Sequence, residues 1–224
     1  MQLSVILPAL NEADQLAETL STLEPLRARG HEVIVVDGNS DDGSFDIALR
    51  AGVCAIRSQR GRARQMNAGA EKASGDTLLF LHADTRLPPD ADSLIEQQLA
   101  RSGRCWGRFD VRIAGTSHWL PLIAFMINLR SRITGVATGD QAIFVTKAAF
   151  RSVGGFADQP LMEDIALSKR LKSRAAPICI RDHVVTSGRR WERYGVGRTI
   201  LLMWRLRWAY WRGAPVSELA ELYR

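Results

Sequence analysis

The sequence has few cysteines, no long hydrophobic run and no recognisable leader segment. Its three cysteines, Cys54, Cys105 and Cys179, are odd in number and far apart, which excludes a disulfide framework and a CxxC metal knuckle. We expect them to be reduced and buried, as in a cytoplasmic protein. The longest apolar stretch, residues 119–127, is well short of the roughly 20 residues that span a bilayer. No basic segment precedes the first apolar run, so a signal peptide is not expected.

Positive charge is scarce in the first three quarters of the chain. Residues 1–167 carry 17 Lys+Arg against 20 Asp+Glu, whereas residues 168–224 carry 13 against 4. The net charge of +6 is therefore a property of the C-terminal part, and such a segment can face anionic lipid, nucleic acid or a phosphorylated substrate. At 224 residues and 46% hydrophobic content, the chain suits one large domain with a short appendage.

Short apolar runs alternate with helical patterns along the first half of the chain. We expect strands near residues 3–8, 31–37, 53–56 and 76–82, with helices between them. This alternation predicts an α/β fold with a mostly parallel sheet and helices on both faces. Past residue 106 the pattern loosens, and we expect strands at 106–111 and 141–145 and helices over 117–133 and 163–173. No GxGxxG or GxxxxGKS/T follows any strand, which argues against a dinucleotide fold and a P-loop.

Acidic and polar residues follow the predicted strands, where ligands bind in open parallel sheets. Residues 8–12 follow the first strand, Asp37 ends the second and Asp84 follows the fourth. Carboxylates there suggest a divalent cation that neutralises a diphosphate, since Mg²⁺ or Mn²⁺ is held by one or two carboxylates together with substrate oxygens and water. From position alone, Asp84 fits a metal ligand and an ordinary turn aspartate equally well.

Two further segments suit a phosphorylated ligand and a general base. The glycine-flanked basic segment 61–69 suits contact with phosphate, or is an ordinary solvated face. Asp164 shares a helical stripe with Leu167 and Leu171, which predicts that its carboxylate points toward the sheet, where a charge is costly unless it has a role. Glu163 better fits a residue that only complements the dipole of a first helical turn.

The ordered set of these motifs resembles an inverting nucleotide-sugar glycosyltransferase of family 2 with the GT-A (Rossmann-like) fold. The resemblance covers nearly the whole chain, and its pieces are Ser4-Val5-Ile6-Leu7-Pro8 to Asn11-Glu12, Val35-Val36-Asp37-Gly38, Gly61 to Gly69, Leu81-His82-Ala83-Asp84, Gly139-Asp140-Gln141, Gly154-Gly155-Phe156 and Glu163-Asp164. Each motif alone is weak evidence for the family, whereas the presence of all of them in this order is specific evidence for it. Within the family, the sequence is most similar to a small bacterial subgroup with His-Ala-Asp at the metal motif and a Pro-Leu-Met-Glu-Asp stretch.

The resemblance implies a metal-dependent, hexosyltransferase-like enzyme that moves a sugar from a nucleoside-diphosphate sugar to a hydroxyl acceptor of unknown identity. By this resemblance, the nucleotide is held by Pro8, Asn11, Glu12 and Asp37. Arg64 borders the diphosphate, and Asp84 binds the divalent cation, Mn²⁺ or Mg²⁺. Asp164 is the catalytic base that deprotonates the acceptor hydroxyl. The acceptor side is lined by Gly139, Asp140 and Gln141.

Two features depart from the family pattern. The metal motif is usually Asp-X-Asp, and His82 stands here in place of the first aspartate. Imidazole ligates Mn²⁺ but is a poor Mg²⁺ ligand, so we assign only Asp84 to the cation and leave open whether His82 contacts metal or phosphate. Arg190-Trp191 resembles part of the Gln-X-X-Arg-Trp motif of processive members, in which the tryptophan contacts acceptor sugar, but Ser187 replaces the glutamine. Trp191 is therefore an acceptor-binding candidate, and processive synthesis is not expected.

We divide the chain into a GT-A domain at residues 1–186 and a basic, aromatic helical extension at residues 187–224. Segment 199–211 is apolar with inserted arginines. It fits equally a helix in the headgroup region of a membrane and a helix packed on the domain with snorkelling arginines. The expected location is cytoplasmic, either free or peripheral on the inner membrane face, where a lipid-linked acceptor is one option.

Two other functions compete with glycosyl transfer. A sugar-phosphate nucleotidyltransferase also combines an α/β sheet with carboxylate-bound Mg²⁺, but it normally has a glycine-rich basic loop after the first strand, where this chain has Ala9-Leu10-Asn11-Glu12. A non-enzymatic module is the third option, with the Arg/Trp tail binding membrane or nucleic acid. Under the preferred interpretation the partners are a nucleotide-sugar donor and an acceptor, with no nucleic acid.

Overall fold

The computed structural model describes residues 1–223. Within these residues the strands are β1 (Leu3–Ala9), β2 (Glu32–Asp37), β3 (Cys54–Arg57), β4 (Thr77–Phe80), β5 (Thr85–Arg86), β6 (Trp106–Ala114), β7 (Ile143–Thr146) and β8 (Ile178–Ser187). The helices are α1 (Ala13–Thr22), α2 (Glu24–Ala28), α3 (Ser44–Arg50), α4 (Arg62–Lys72), α5 (Ala91–Ser102), α6 (Leu120–Thr134), α7 (Lys147–Ser152), α8 (Glu163–Lys172), α9 (Arg189–Tyr194), α10 (Val196–Trp211) and α11 (Val216–Tyr223). A short 3-10 helix spans Gly139–Gln141.

The strands form one mixed sheet in the order β3-β2-β1-β4-β7-β6-β8-β5. The first four strands of this order are mutually parallel, as the strand–helix alternation predicts. Strand β7 runs antiparallel to both β4 and β6, while β6 and β8 are parallel. The expectation of a mostly parallel sheet is thus corrected to a mixed one. An apolar strand buried on both faces has the same pattern in either direction, so the sequence did not indicate the reversal.

Two hydrophobic clusters cover the two faces of the sheet. Successive side chains of a strand point to opposite faces, so Val5 and Leu7 join Phe109 in one cluster, while Ile6 joins Phe80 in the other. All five side chains are buried. The cysteines are free but only half-buried, which corrects the expectation of full burial.

Helix α4 is fixed on the ends of β1 and β2 by a buried glutamine. Gln65 Nε2 donates to the carbonyl oxygens of Ala9 (2.7 Å) and Val36 (2.8 Å). Gly69, one turn further along, packs so closely on Ile6 that an added Cβ would lie 2.4 Å from its Cγ2 atom. These contacts hold the first turn of α4 at the carboxyl edge of the parallel strands.

The residues before α8 are tied to the same helix. Asn67 Nδ2 donates to the carbonyl oxygen of Phe156, and Asn67 Oδ1 accepts from its N–H, both at 2.9 Å. Met162 adopts a left-handed conformation with φ 63° and starts α8. The N-terminal turn of α8 therefore lies opposite α4.

Helices α10 and α11 pack back onto the start of α8. Leu206 and Leu219 form a third cluster with Leu161, Met162 and Ile165. None of the helices within the described residues is both long enough and apolar enough to cross a membrane.

Candidate active site

The loop after β1 is bound to the loop after β2 by side-chain to backbone hydrogen bonds. Asn11 Oδ1 accepts from the Asp41 N–H (2.9 Å), and the Asn11 N–H donates to Ser40 Oγ (3.0 Å). The Glu12 N–H donates to Ser44 Oγ (2.9 Å). Asn11 has a φ of 56°, a conformation that asparagine tolerates better than most residues. The two loops form one rigid wall at the carboxyl edge of the sheet.

Asp37, the last residue of β2, has a carboxylate oxygen without a partner. Its side chain is buried, and Oδ2 accepts from the Ser40 N–H (3.1 Å). The other oxygen, Oδ1, is buried with no hydrogen-bond partner among the described residues. Since a buried acceptor is costly to leave unsatisfied, this atom suits a donor group on a bound ligand. Pro8 lies within β1 and pairs with Val36.

Arg62, in the first turn of α4, is the cation that faces the acidic residues of the site. Its guanidinium group lies 3.7 Å from Glu163, whose side chain is only 4% exposed. Desolvation opposes ionisation of Arg62, but the charges of Glu163, Tyr223, Asp164 and Asp84 outweigh it and raise the pKa of Arg62. The fold thus brings charged residues of the β4–β5 loop, α4 and α8 within electrostatic range of one another, and we call Asp84, Glu163, Asp164 and Arg62 the charged cluster.

Asp164 is held by two backbone N–H groups. Its Oδ2 accepts from Gly139 (2.8 Å) and its Oδ1 from Ile165 (2.7 Å). Desolvation and the neighbouring charge of Glu163 raise the pKa of Asp164 to about 6, although these hydrogen bonds and Arg62 oppose the rise. The carboxylate is therefore oriented, ionised at neutral pH and more basic than an ordinary aspartate.

His82 is packed against Gly139 at the side of this cluster. A Cβ added to Gly139 would lie 2.4 Å from His82 Nε2. Desolvation and the charge of Arg62 lower the pKa of His82 to about 3, so its imidazole is neutral at pH 7. His82 Nε2 lies beside Gly139, the residue whose N–H binds Asp164.

Asp140 and Arg130, like Asp37, each have one polar atom without a hydrogen-bond partner. Asp140 Oδ1 and Arg130 Nε are buried and have no hydrogen-bond partner among residues 1–223. Desolvation raises the pKa of Asp140, aided by Asp164 and opposed by Arg130. Gln141 does not face this region, because it is fully buried and caps the 3-10 helix through Thr138. Gln141 is therefore not exposed at this surface, unlike the sequence-based expectation that it lines the acceptor side.

Two candidates from the sequence have other contacts. Arg64 pairs with Asp158 through two hydrogen bonds (2.8 and 3.0 Å). The arginine that contacts Glu163 is Arg62, where the sequence had suggested Arg64 as the cation of the site. Residues two apart on a helix point in nearly opposite directions, so the sequence did not distinguish the two arginines. The partly buried Trp191 packs against the first hydrophobic cluster.

Helix α9 contributes two arginines that sequence reasoning did not assign to the site. Arg189 Nη2 donates to Glu12 Oε2 (3.2 Å). Desolvation raises the pKa of Glu12, and Arg189 opposes that rise. Arg190 stacks on the ring of Tyr223, with the guanidinium carbon 3.8 Å from the ring centroid. The Arg/Trp pattern at 189–191 was the signal that could have found them.

The cluster fits a cation that arrives with a diphosphate, and not a preassembled metal cage. Among residues 1–223, no group of three or more His, Cys, Asp or Glu side chains is arranged to hold a metal. Asp84 is partly exposed, accepts only from the hydroxyls of Thr85 (3.3 Å) and Thr186 (3.5 Å), and makes no ion pair within the described part of the chain. One free carboxylate is enough where substrate oxygens and water complete the coordination.

Known proteins share this sequence pattern and fold. The family model "Glycosyl transferase family 2" matches residues 4–156. A Mycobacterium tuberculosis protein described as an uncharacterized glycosyltransferase is 31% identical over 186 residues, which cover 79% of this chain and 69% of that protein. A dolichol-phosphate mannosyltransferase from Pyrococcus furiosus is 31% identical over 97 residues, 40% of this chain and 28% of its own.

Solved structures show the same fold at lower sequence identity. Residues 1–349 of Staphylococcus aureus TarS, in complex with UDP-GlcNAc, superpose with a TM-score of 0.68 at 17% identity, over 84% of this chain and 58% of that fragment. The mannosyltransferase PcManGT from Pyrobaculum calidifontis, in complex with GDP-Man and Mn²⁺, gives a TM-score of 0.65 at 19% identity, over 93% of this chain and 61% of its own. This chain thus spans less than two thirds of either structure. Because the family model covers residues 4–156 of 224, the chain belongs to glycosyl transferase family 2.

Proposed function

We propose that this chain transfers a sugar from a nucleoside-diphosphate sugar to an acceptor hydroxyl, with inversion at the anomeric carbon. The observation that carries the proposal is the contact of Arg62 with Glu163 (3.7 Å) beside the oriented Asp164, with Asp84 close enough to raise the pKa of Arg62. Asp164 can serve there as a desolvated base, and Arg62 can contact the diphosphate. Inversion by a single displacement at the anomeric carbon needs both groups close together.

The donor nucleotide is assigned to the wall formed by the loops after β1 and β2. The unsatisfied Asp37 Oδ1 supports this assignment, because it can accept a hydrogen bond from a base or ribose. Asn11 and Glu12 form the adjoining part of the wall, and Pro8 lies in β1 just before it. Arg62 is assigned to the diphosphate, and Arg64 becomes a peripheral contact that must first leave Asp158.

Asp84 would hold the divalent cation, Mn²⁺ or Mg²⁺. When bound, the cation offsets the negative charge that develops on the leaving diphosphate. Arg62 adds a fixed positive charge on the same side and keeps it at any accessible pH. The subgroup with His-Ala-Asp at this motif would use one protein carboxylate, with His82 as a positioning residue.

Asp164 is assigned as the catalytic base. The acceptor oxygen attacks the anomeric carbon, the acceptor proton moves to Asp164, and the bond between the anomeric carbon and the diphosphate oxygen breaks with its electron pair on the diphosphate. The N–H groups of Gly139 and Ile165 hold the carboxylate in place, and its pKa of about 6 brings its basicity close to neutral pH.

The acceptor is assigned to the surface formed by Gly139, Asp140 and Arg130, and Trp191 is kept as a separate acceptor-binding candidate. The unsatisfied Asp140 Oδ1 and Arg130 Nε support this assignment, since an acceptor with several hydroxyl groups could satisfy both. Residues 1–186 would form the transferase domain, and residues 187–223 would close it through Arg189 and Glu12. A cytoplasmic location at the inner membrane face is part of this proposal.

Incubation of the purified protein with Mn²⁺ and a panel of nucleotide sugars tests the proposal. Donor hydrolysis or transfer should be lost in Asp164→Asn and Asp84→Asn. It should persist in the matched control Asp182→Asn, which changes an exposed carboxylate on β8. Absence of any response to donors or nucleoside diphosphates would refute the proposal. Release of pyrophosphate from a nucleoside triphosphate and a sugar phosphate would indicate nucleotidyl transfer instead.

A further inference from the structure

The exposed apolar side chains of this protein are concentrated on two helices. Of the fourteen large hydrophobic side chains that are exposed among residues 1–223, ten lie on α6, on its N-cap residue, or on α10. We call them the apolar face: Trp119, Leu122, Phe125, Met126, Leu129, Ile133, Leu201, Trp204, Trp208 and Trp211. Four tryptophans are among them, each 61–73% exposed. So much exposed aromatic surface usually marks an interaction site.

Each helix contributes a single stripe to this face. The exposed positions recur every three or four residues, which places them on one side of each helix. The other side of α6 is buried through Leu120 and Ile123, and that of α10 through Leu206. Both helices are therefore fully folded onto the protein while their outer stripes have no partner among the described residues.

Both helices are anchored in hydrophobic clusters of the protein. Val196 and Ile200 of α10 pack against the cluster that contains Leu120 and Ile123 of α6. Val136, just after α6, and Leu202 of α10 pack against the cluster that contains Leu206. The inner sides of α6 and α10 are therefore held by the same apolar clusters, while the outer stripes of both helices are exposed.

A row of arginines borders this surface. Arg198, Arg205 and Arg212 are exposed, and they are spaced seven residues apart along α10, so they lie on one line beside the apolar stripe. No carboxylate within the described residues forms an ion pair with any of the three. Arg212 also contacts the ring of Trp208, with its guanidinium carbon 5.4 Å from the centroid.

We propose that the apolar face and its arginine row dock this protein on an anionic lipid bilayer. Tryptophans beside unpaired arginines suit the boundary between acyl chains and headgroups, where arginine meets lipid phosphate. Helix α10 has 16 residues and lies flat, which gives a footprint about 24 Å long. A protein partner would need a carboxylate-rich apolar surface of the same length, whereas a bilayer supplies both features over any area.

The position of this surface relates it to the acceptor side of the proposed site. The segment from the end of α6 leads within a few residues to Gly139 and Asp140. Docking through α6 would bring Gly139 and Asp140 near the lipid headgroups, which suits an acceptor hydroxyl on a lipid carrier. This last consequence rests on the proposed function, whereas the docking itself does not.

Co-sedimentation of the full chain with vesicles tests the docking without donor, metal or acceptor. We expect binding to phosphatidylcholine vesicles that contain phosphatidylglycerol, and much weaker binding to phosphatidylcholine alone. The variant Arg198→Gln, Arg205→Gln, Arg212→Gln should lose affinity for the anionic vesicles by on the order of 100-fold, since each arginine near a charged surface is worth roughly 1 kcal/mol. High salt should weaken wild-type binding in the same way.

A second variant tests the involvement of both helices. Phe125→Glu with Trp208→Glu should abolish binding to both vesicle types and keep the far-ultraviolet circular dichroism of the wild type, because both side chains are exposed. Leu49→Glu, an exposed apolar position on α3, is the matched control and should bind normally. Brominated lipid should quench the tryptophan fluorescence of the wild type only when vesicles are bound.

Three outcomes overturn the proposal. Equal vesicle binding by the wild type and the glutamate variant would show that the apolar face is not the contact. Equal binding by the wild type and the glutamine variant would exclude the arginine row. A wild-type chain that does not bind vesicles and is a dimer by light scattering, with Phe125→Glu restoring the monomer, would assign the face to a second copy of this chain.

Discussion

The substitution Asp164→Asn should stabilise the protein at neutral pH while it removes the proposed base. The pKa of Asp164 is raised from 3.8 to about 6 by desolvation and by Glu163. A carboxyl group whose pKa is raised in the folded state binds its proton more tightly there than in the unfolded chain. Its ionisation therefore opposes folding, and asparagine removes that cost.

The magnitude follows from the two pKa values. Between about pH 4 and pH 6 the unfolded chain has lost this proton and the folded protein still holds it, so the free energy of unfolding falls as the pH rises. At about 1.4 kcal/mol per pH unit, the total fall is about 3 kcal/mol. The asparagine side chain of the variant cannot accept both hydrogen bonds that Gly139 and Ile165 now donate, which lowers the gain by about 1 kcal/mol. We expect a net gain of about 2 kcal/mol at pH 7.5, or roughly 4–8 °C in Tm.

Urea unfolding of the wild type and of Asp164→Asn at pH 4.5 and pH 7.5 measures this difference. Glu12, whose pKa is also raised by desolvation, is present in both proteins and cancels. The pKa of Asp140 is raised partly by the charge of Asp164, so its shift becomes smaller in the variant and adds to the advantage of the variant at pH 7.5. The advantage of the variant should be small at pH 4.5 and grow toward pH 7.5, while turnover falls by about 10²–10⁴-fold. A variant that is less stable than the wild type at pH 7.5, or whose advantage does not change with pH, refutes the reasoning.

Three further perturbations separate the roles in the cluster. Glu163→Gln should move the acid limb of the profile of kcat/KM against pH to lower pH, because the Glu163 charge raises the pKa of Asp164; an unmoved limb contradicts the assignment of Asp164 as the base. Gly139→Ala should cost about 1–3 kcal/mol of stability in thermal unfolding, because the new Cβ meets His82 Nε2 at 2.4 Å, and a second change of His82→Ala should recover part of it. Asp84→Asn should abolish the Mn²⁺-dependent part of nucleoside-diphosphate affinity in calorimetry and leave folding intact; metal dependence equal to that of the wild type would exclude Asp84 as the ligand.

Site residues that end or follow a strand could be predicted from the sequence. Site residues on helices could not, because their position depends on how the helix is rotated. Asp37 ends β2 and Asp84 follows β4, so the alternating pattern alone indicated their edge of the sheet. Arg62 was not assigned to the site, and Glu163 was interpreted as a residue that only complements the dipole of a helical turn. Which residue of a helical turn faces the sheet depends on how the helix is rotated, and the left-handed Met162 and the hydrogen bonds of Gln65 set that rotation.

The sequence by itself determined the α/β class, the elements of the first half and the family motifs, because burial period and turn residues are local properties of the chain. Only the tertiary structure decided the reversal of β7, the long strand β8, and the packing of α10 and α11 on the start of α8. These features depend on which apolar surfaces meet across large separations in sequence. The same apolar pattern fits several partners, and only the complete packing of the chain selects among them.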